Sequence, residues 1–146
     1  MTIDMDNSLI QLNDLPDEIL LIIFKKLNNI ELLYSLINVN ERIKRIVHDS
    51  IFTNCLTMRR CTSYDSYYDS YYPLNGAILD RFCSQILPKI HHKIKWLNVD
   101  SSTMEDILLC TNYPNLYGLG LYNIDQEYAL RIFTGKRFSF DFFLNH

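Results

Sequence analysis

The chain has 146 residues, 48% of them hydrophobic and 21% charged, a globular composition with room for one ordinary domain or two small ones. A net charge of −3 gives no basic footprint for nucleic acid or an anionic membrane surface, and no apolar run approaches the roughly eighteen residues of a membrane span. The first eleven residues carry Asp4 and Asp6 with no basic leader before an apolar run, so no secretory signal is expected and the chain is read as intracellular, in cytoplasm or nucleus.

After a flexible tail at residues 1–11, two apolar stripes follow each other between Leu12 and Val47. Leu15, Ile19, Ile22, Ile23, Phe24 and Leu27 recur at steps of three and four, which predicts a helix with Leu15 in the capping slot and Pro16 at its first position. Asp17 and Glu18 suit its positive end, Lys25 and Lys26 its negative end, and Asn28-Asn29 breaks it. Leu32, Leu36, Val39, Ile43 and Ile46 form the second stripe. Asn38 and Asn40 flank Val39, and asparagine competes for local backbone groups, so this stripe is expected to bend into two helices there. Helices this short cannot bury both stripes on one another, and something else has to cover the remainder.

Leu15-Pro16-x-Glu18-Ile19, then Ile23-Phe24, Leu27, Glu31-Leu32-Leu33 and Val39-x-x-Arg42-Ile43, closely resemble an F-box, and Asn38-Val39-Asn40-Glu41-Arg42-Ile43 looks like a variant ending of that motif. The resemblance covers about a quarter of the chain. It implies three short helices that dock on a Skp-type adaptor of a cullin–RING ubiquitin ligase, while the rest of the chain captures an unknown protein substrate. Carried onto this sequence, it implies an adaptor-binding surface of Leu15, Pro16, Ile19, Leu33, Leu36, Val39 and Ile43.

The F-box-like domain is placed at residues 12–50 and a connecting segment at 51–75. In the connector, Ile51 to Met58 nearly alternates and predicts a short strand. Arg59 and Arg60 read as a solvated turn, or else as a grip on an acidic partner. Ser63 to Pro73 repeats Tyr-Asp-Ser-Tyr and reads as a surface loop. Residues 76–146 then alternate helix and strand. Ile78, Leu79, Phe82, Cys83, Ile86 and Leu87 predict a helix up to Pro88; Ile94 to Asp100 reads as a strand, with a hydroxyl-and-carboxylate capping start at Ser101 to Glu105. Met104, Ile107, Leu108 and Cys110 make the next helix. Leu116 to Tyr122 repeats the strand at an offset of twenty-two residues, and Asp125 to Phe133 is helical. That spacing and the fragment Pro114-Asn115-Leu116-x-x-Leu119-x-Leu121 look like leucine-rich repeats, whose successive strands should pair in parallel. A small non-repeat α/β cap is the other reading. Phe138, Phe140 and Phe142 suggest a last strand, expected as the beginning of another unit in a truncated segment.

No metal, cofactor or catalytic constellation is expected. His91 and His92, placed on a strand, would point to opposite faces. Cys55, Cys61, Cys83 and Cys110 are too widely spaced for zinc and are expected as buried free thiols, and Gly118-Leu119-Gly120 lacks the third dinucleotide-binding glycine and reads as close packing. The fold class is therefore α+β, a three-helix F-box-like module followed by a short leucine-rich-repeat-like α/β segment. The resemblance implies the function of a non-catalytic substrate adaptor. An F-box module acting outside ubiquitin ligases, and a small enzyme with an unrecognised site, are the alternatives.

Overall fold

Side chains just ahead of several helices start them. In the computed structural model, which describes residues 11–62 and 70–133, Asn28, Asn40 and Asn75 cap α2 (Asn29–Leu36), α3 (Glu41–Val47) and α5 (Gly76–Arg81). Each accepts a backbone N–H through its side-chain oxygen, at 2.9, 2.8 and 3.2 Å. The bend expected at Asn38–Asn40 is there because Asn40 leaves α2 extended and caps α3. Pro16 is the N-cap of α1 (Asp17–Phe24) rather than its first residue: its own backbone is extended, and its carbonyl accepts from Ile19 and Leu20. Asp49 caps a short α4 (Ser50–Thr53) by accepting from Ile51, so the residues read as the start of a strand are helical. The strand begins only at Cys55.

Among the described residues four strands follow in the order β2-β1-β3-β4. β1 (Cys55–Thr62) pairs in parallel with β3 (Trp96–Asp100), which pairs in parallel with β4 (Gly118–Tyr122). Trp96 stands opposite Gly118 and Asp100 opposite Tyr122, the twenty-two-residue offset read from the sequence. From β1 to β3 the interval is almost double, so a single repeat step is seen. β2 (Ser70–Pro73) lies antiparallel on β1 where a loop was expected, and Arg59 and Arg60 lie within β1 rather than in a turn. The expected loop's remainder and the phenylalanine tail fall outside the described residues.

Between β2 and β3 the helical backbone runs past Pro88. Pro88 has no N–H to give and its ring crowds the carbonyl four residues back, so the chain widens first: Leu87 N–H bonds to Phe82 across a π turn at Phe82–Ile86, and α6 (Leu87–Ile90) follows. His91 and His92 sit in a 3-10 turn, not a strand, with their rings edge to face at 5.5 Å. The hydroxyls expected to cap α7 (Met104–Leu109) serve Asp100 and its neighbourhood instead. Ser102 donates to the Asp100 carboxylate through N–H and Oγ, Thr103 Oγ1 donates to the Asp100 carbonyl, and no side chain caps α7.

Two apolar clusters hold these elements. Leu20, Phe24, Leu32, Ile43, Val47 and Phe52 close the helical one, with Phe24 edge-on to Phe52 at 6.3 Å. The other lies on one face of the sheet, where Leu56, Met58, Leu97 and Val99 meet α5, α6 and α7, and α8 (Gln126–Phe133) adds Tyr128. α2 feeds both: Leu32 goes to the helical cluster, while Ile30, Leu33 and Ile37 go to the sheet. The four cysteines are free thiols as expected, but none is buried. Cys55 and Cys61 fall on the face of β1 that alternation turns away from Leu56 and Met58, where Cys55 is exposed and Cys61 half-buried.

Thr57, Arg59, Trp96, Asn98 and Tyr122 share that far face. Glycine is required opposite them. A Cβ at Gly118 would run into the Trp96 ring, and one at Gly120 into the Asn98 side chain. Trp96 Nε1 donates to Asn98 at 2.9 Å and Asn98 Nδ2 to Thr57 at 3.2 Å, which spans β3 and β1 with one hydrogen-bonded row. Gly118→Val should displace Trp96, the only tryptophan, and lower stability by about 1–3 kcal/mol, as overpacking does. A shifted tryptophan emission together with a lower urea midpoint is the expected result.

Candidate docking surface

A single guanidinium sets the geometry of the helical module. Arg42, near the start of α3, donates through Nε to Asp17 at 2.8 Å, through Nη1 to the Asn13 carbonyl at 2.7 Å and through Nη2 to the Leu15 carbonyl. Asn40 adds a bond from Nδ2 to Asn13 Oδ1 at 2.7 Å while its own oxygen caps α3. The start of α3 is thereby clamped to the approach of α1. The carbonyls of Asn13 and Leu15 lie just outside the helix and gain donors that no helical ladder provides. The motif match contained Arg42, but nothing in the apolar pattern announced this role.

With α1 held there, part of its surface stays bare. Ile19, Ile22, Ile23 and Leu27 are 43, 57, 38 and 45% exposed, and Val39, between α2 and α3, is 51% exposed. The positions 19, 22 and 23 fall on one helix face by their spacing. Of the seven residues the resemblance singled out, Pro16, Ile19 and Val39 present surface, and Leu15 and Leu36 are half-buried. Leu33 and Ile43 are fully enclosed, Leu33 in the sheet cluster and Ile43 in the helical one, so neither offers atoms to a partner in this conformation. Ile22, Ile23 and Leu27 were left out of that set. Their place in the first stripe was visible, but periodicity alone does not say which side of a stripe the chain covers itself.

Elsewhere the titratable groups do not assemble a reactive centre among the described residues. Burial, reinforced by the Cys110 thiol and by Asp106 and Asp80, pushes the Cys83 thiol up to about 12, so it carries no thiolate at neutral pH. Burial above all raises the Tyr113 phenol, whose O–H donates to the Ile107 carbonyl at 2.6 Å. No group of three or more His, Cys, Asp or Glu that could hold a metal occurs among the described residues, and no described helix is long and apolar enough to cross a membrane.

A short-helix module clasped at one point, with an aliphatic face left open beside it, defines a protein-interaction domain. The chain carries an F-box domain: residues 12–55 match that family's model. No curated protein and no solved structure matches the chain. An F-box domain is a protein-interaction module, which makes the chain an interaction adaptor.

Two predictions follow from the polar groups. Arg42→Met keeps the apolar stem but removes every donor from Asp17, Asn13 and Leu15. It should cost about 1–2 kcal/mol of stability in urea melts, since each net hydrogen bond is worth about 1 kcal/mol and the ion pair is partly in water. Asp100 lies 98% hidden beside Arg59. Burial alone would raise its pKa, but bonds from Ser102 and Asn123 and the charge of Arg59 outweigh it and hold the carboxyl below its ordinary value. The unfolded chain therefore takes up this proton first as pH falls. The stability from Asp100 is complete above the ordinary carboxylate range and is lost as pH drops through that range toward the depressed value. Asp100→Asn should cost about 3 kcal/mol at neutral pH and flatten the acid limb of a stability–pH curve; an unchanged limb would remove Asp100 from the acid response.

Proposed function

We propose that the bare face of α1, together with Pro16 and Val39, docks on a Skp-type adaptor and so joins the chain to a cullin–RING ubiquitin ligase inside the cell. The half that follows, with β3 and β4 one repeat step apart, presents a target protein for ubiquitination. The exposed aliphatic row Ile19, Ile22, Ile23, Leu27 within the F-box domain carries this reading. Covering about half of each of these side chains and of Val39 is worth on the order of 5 kcal/mol before the cost of association, enough to matter beside a standard interface. In this reading Leu33 and Ile43 act from inside, by holding α2 and α3 in place, and Leu15 and Leu36 border the contact.

Ile22→Glu combined with Val39→Glu tests the surface without touching either core. The purified double variant should keep its circular dichroism and lose adaptor affinity at least thirty-fold, about 2 kcal/mol. Arg60→Ala, on β1, should bind as the parent does. The parent should also recover cullin from cell extract. If the parent shows no affinity for a Skp-type adaptor, or if the double variant binds equally well, the docking surface is misassigned.

A further inference from the structure

A cavity of about 340 Å3 opens beside the sheet, and among the described residues Asn28, Thr57, Arg59, Tyr71 and Tyr122 line it. Its cation is almost withdrawn from water. Arg59 keeps 9% exposure, and its guanidinium lies 5.4 Å from the centre of the Tyr71 ring and 4.6 Å from that of Tyr122. Nη2 donates to the Tyr71 carbonyl at 3.2 Å. Nε is buried with no hydrogen-bond partner among the described residues, since the Asp100 carboxylate stands off at 3.6 Å, close enough for charge but too far for a bond.

Asn28 and Thr57 beside Arg59 keep donors that the bonds they already make leave unused. Asn28 spends its oxygen on the Ile30 N–H, which leaves its NH2. Thr57 Oγ1 accepts from Asn98, which leaves its O–H, and a guanidinium accepts nothing. Asp100, the acid beside the cavity, does not line it, and its oxygens are occupied by Ser102 and Asn123. Donors that converge around a nine-tenths buried cation match a group that only accepts and is charged.

We propose that this cavity binds one carboxylate of the target protein, from an Asp or Glu side chain or a chain terminus, through Arg59, Asn28 and Thr57. The adaptor reading enters only in making the ligand part of a target. Asp100 already neutralises Arg59, so the charge a ligand brings is offset only by the hydrogen bonds that Arg59, Asn28 and Thr57 donate. A doubly charged phosphoryl group would double that uncompensated charge in a little-hydrated place, so a single charge fits better.

The test uses the full chain with 15N-labelled arginine and follows the Arg59 Nε–H resonance. Four probes are titrated: end-capped pentaglycine with Glu at its centre, the same peptide with Gln, the same with phosphoserine, and pentaglycine with a free carboxy terminus. The Glu peptide or the free terminus should shift the resonance saturably, and the Gln and phosphoserine peptides should bind at least tenfold more weakly. Asn28→Asp is the decisive variant. Asp caps a helix as well as Asn does, so the fold should stand, yet it replaces the amide donors with a negative charge and should weaken carboxylate binding at least tenfold. No saturable shift in the parent, equal binding of the Gln peptide, preference for phosphoserine or full binding by Asn28→Asp would each overturn the proposal. A parent that takes a carboxylate probe but not the Skp-type adaptor keeps this site and loses the adaptor reading, and the reverse result loses the site alone.

Discussion

The placement of Arg42 is the constraint from which the helical half is built. As an exposed ion pair with Asp17 it would be worth little, because water screens both charges. Its weight comes from the two backbone carbonyls it also satisfies, those of Asn13 and Leu15, in the turn that leads into α1. One side chain thereby sets the direction in which α1 leaves that turn. Once the direction is set, Leu20 and Phe24 reach the helical cluster, and Ile19, Ile22 and Ile23 stay exposed. The bare face is a consequence of the clasp and of helices too short to wrap around one another.

The sheet half solves the opposite problem, since most of its apolar face is covered, with Leu119 and Leu121 half-buried at its edge, and its polar face is organised without helices. Trp96 lies where Gly118 leaves room, and Asn98 lies over Gly120. The row from Trp96 through Asn98 to Thr57, and the Tyr71–Arg59–Tyr122 stack, are fixed by bonds and ring contacts before any ligand arrives. A surface ordered in advance gives up little rotamer freedom on binding. Buried charge on this face is tolerated because Arg59 and Asp100 are paired and Asp100 is hydrogen-bonded on both oxygens.

Much of the architecture was legible because it rests on period and punctuation. Apolar spacing located α1, α2, α3 and α7, the Asn38–Asn40 bend separated α2 from α3, and the matched segments gave the parallel β3–β4 pair and its offset. Errors came where a local bond outweighed pattern. Asp49 capped a helix where alternation suggested a strand, a π turn carried the chain past Pro88, and Ser102 and Thr103 bonded to Asp100 instead of starting α7. The docking set was only partly readable for a different reason. An apolar position in a stripe has the same signature whether this chain or a partner covers it, so Leu33 and Ile22 cannot be told apart until the sheet is in place. Arg59 was obscured by its neighbour Arg60: two adjacent arginines look like a solvated pair, although on a strand one of them turns toward Asp100 and the other away.

The double service of α2 makes the F-box region of this chain a poor candidate for life on its own. A fragment cut after residue 55 would keep Leu32 in its cluster but strip the cover from Ile30, Leu33 and Ile37, three aliphatic side chains that the intact chain hides almost completely. Such a fragment would carry a second greasy surface on the side away from α1 and would be prone to self-association. The two halves are therefore bound to melt together, and damage to the sheet should loosen the helical module as well.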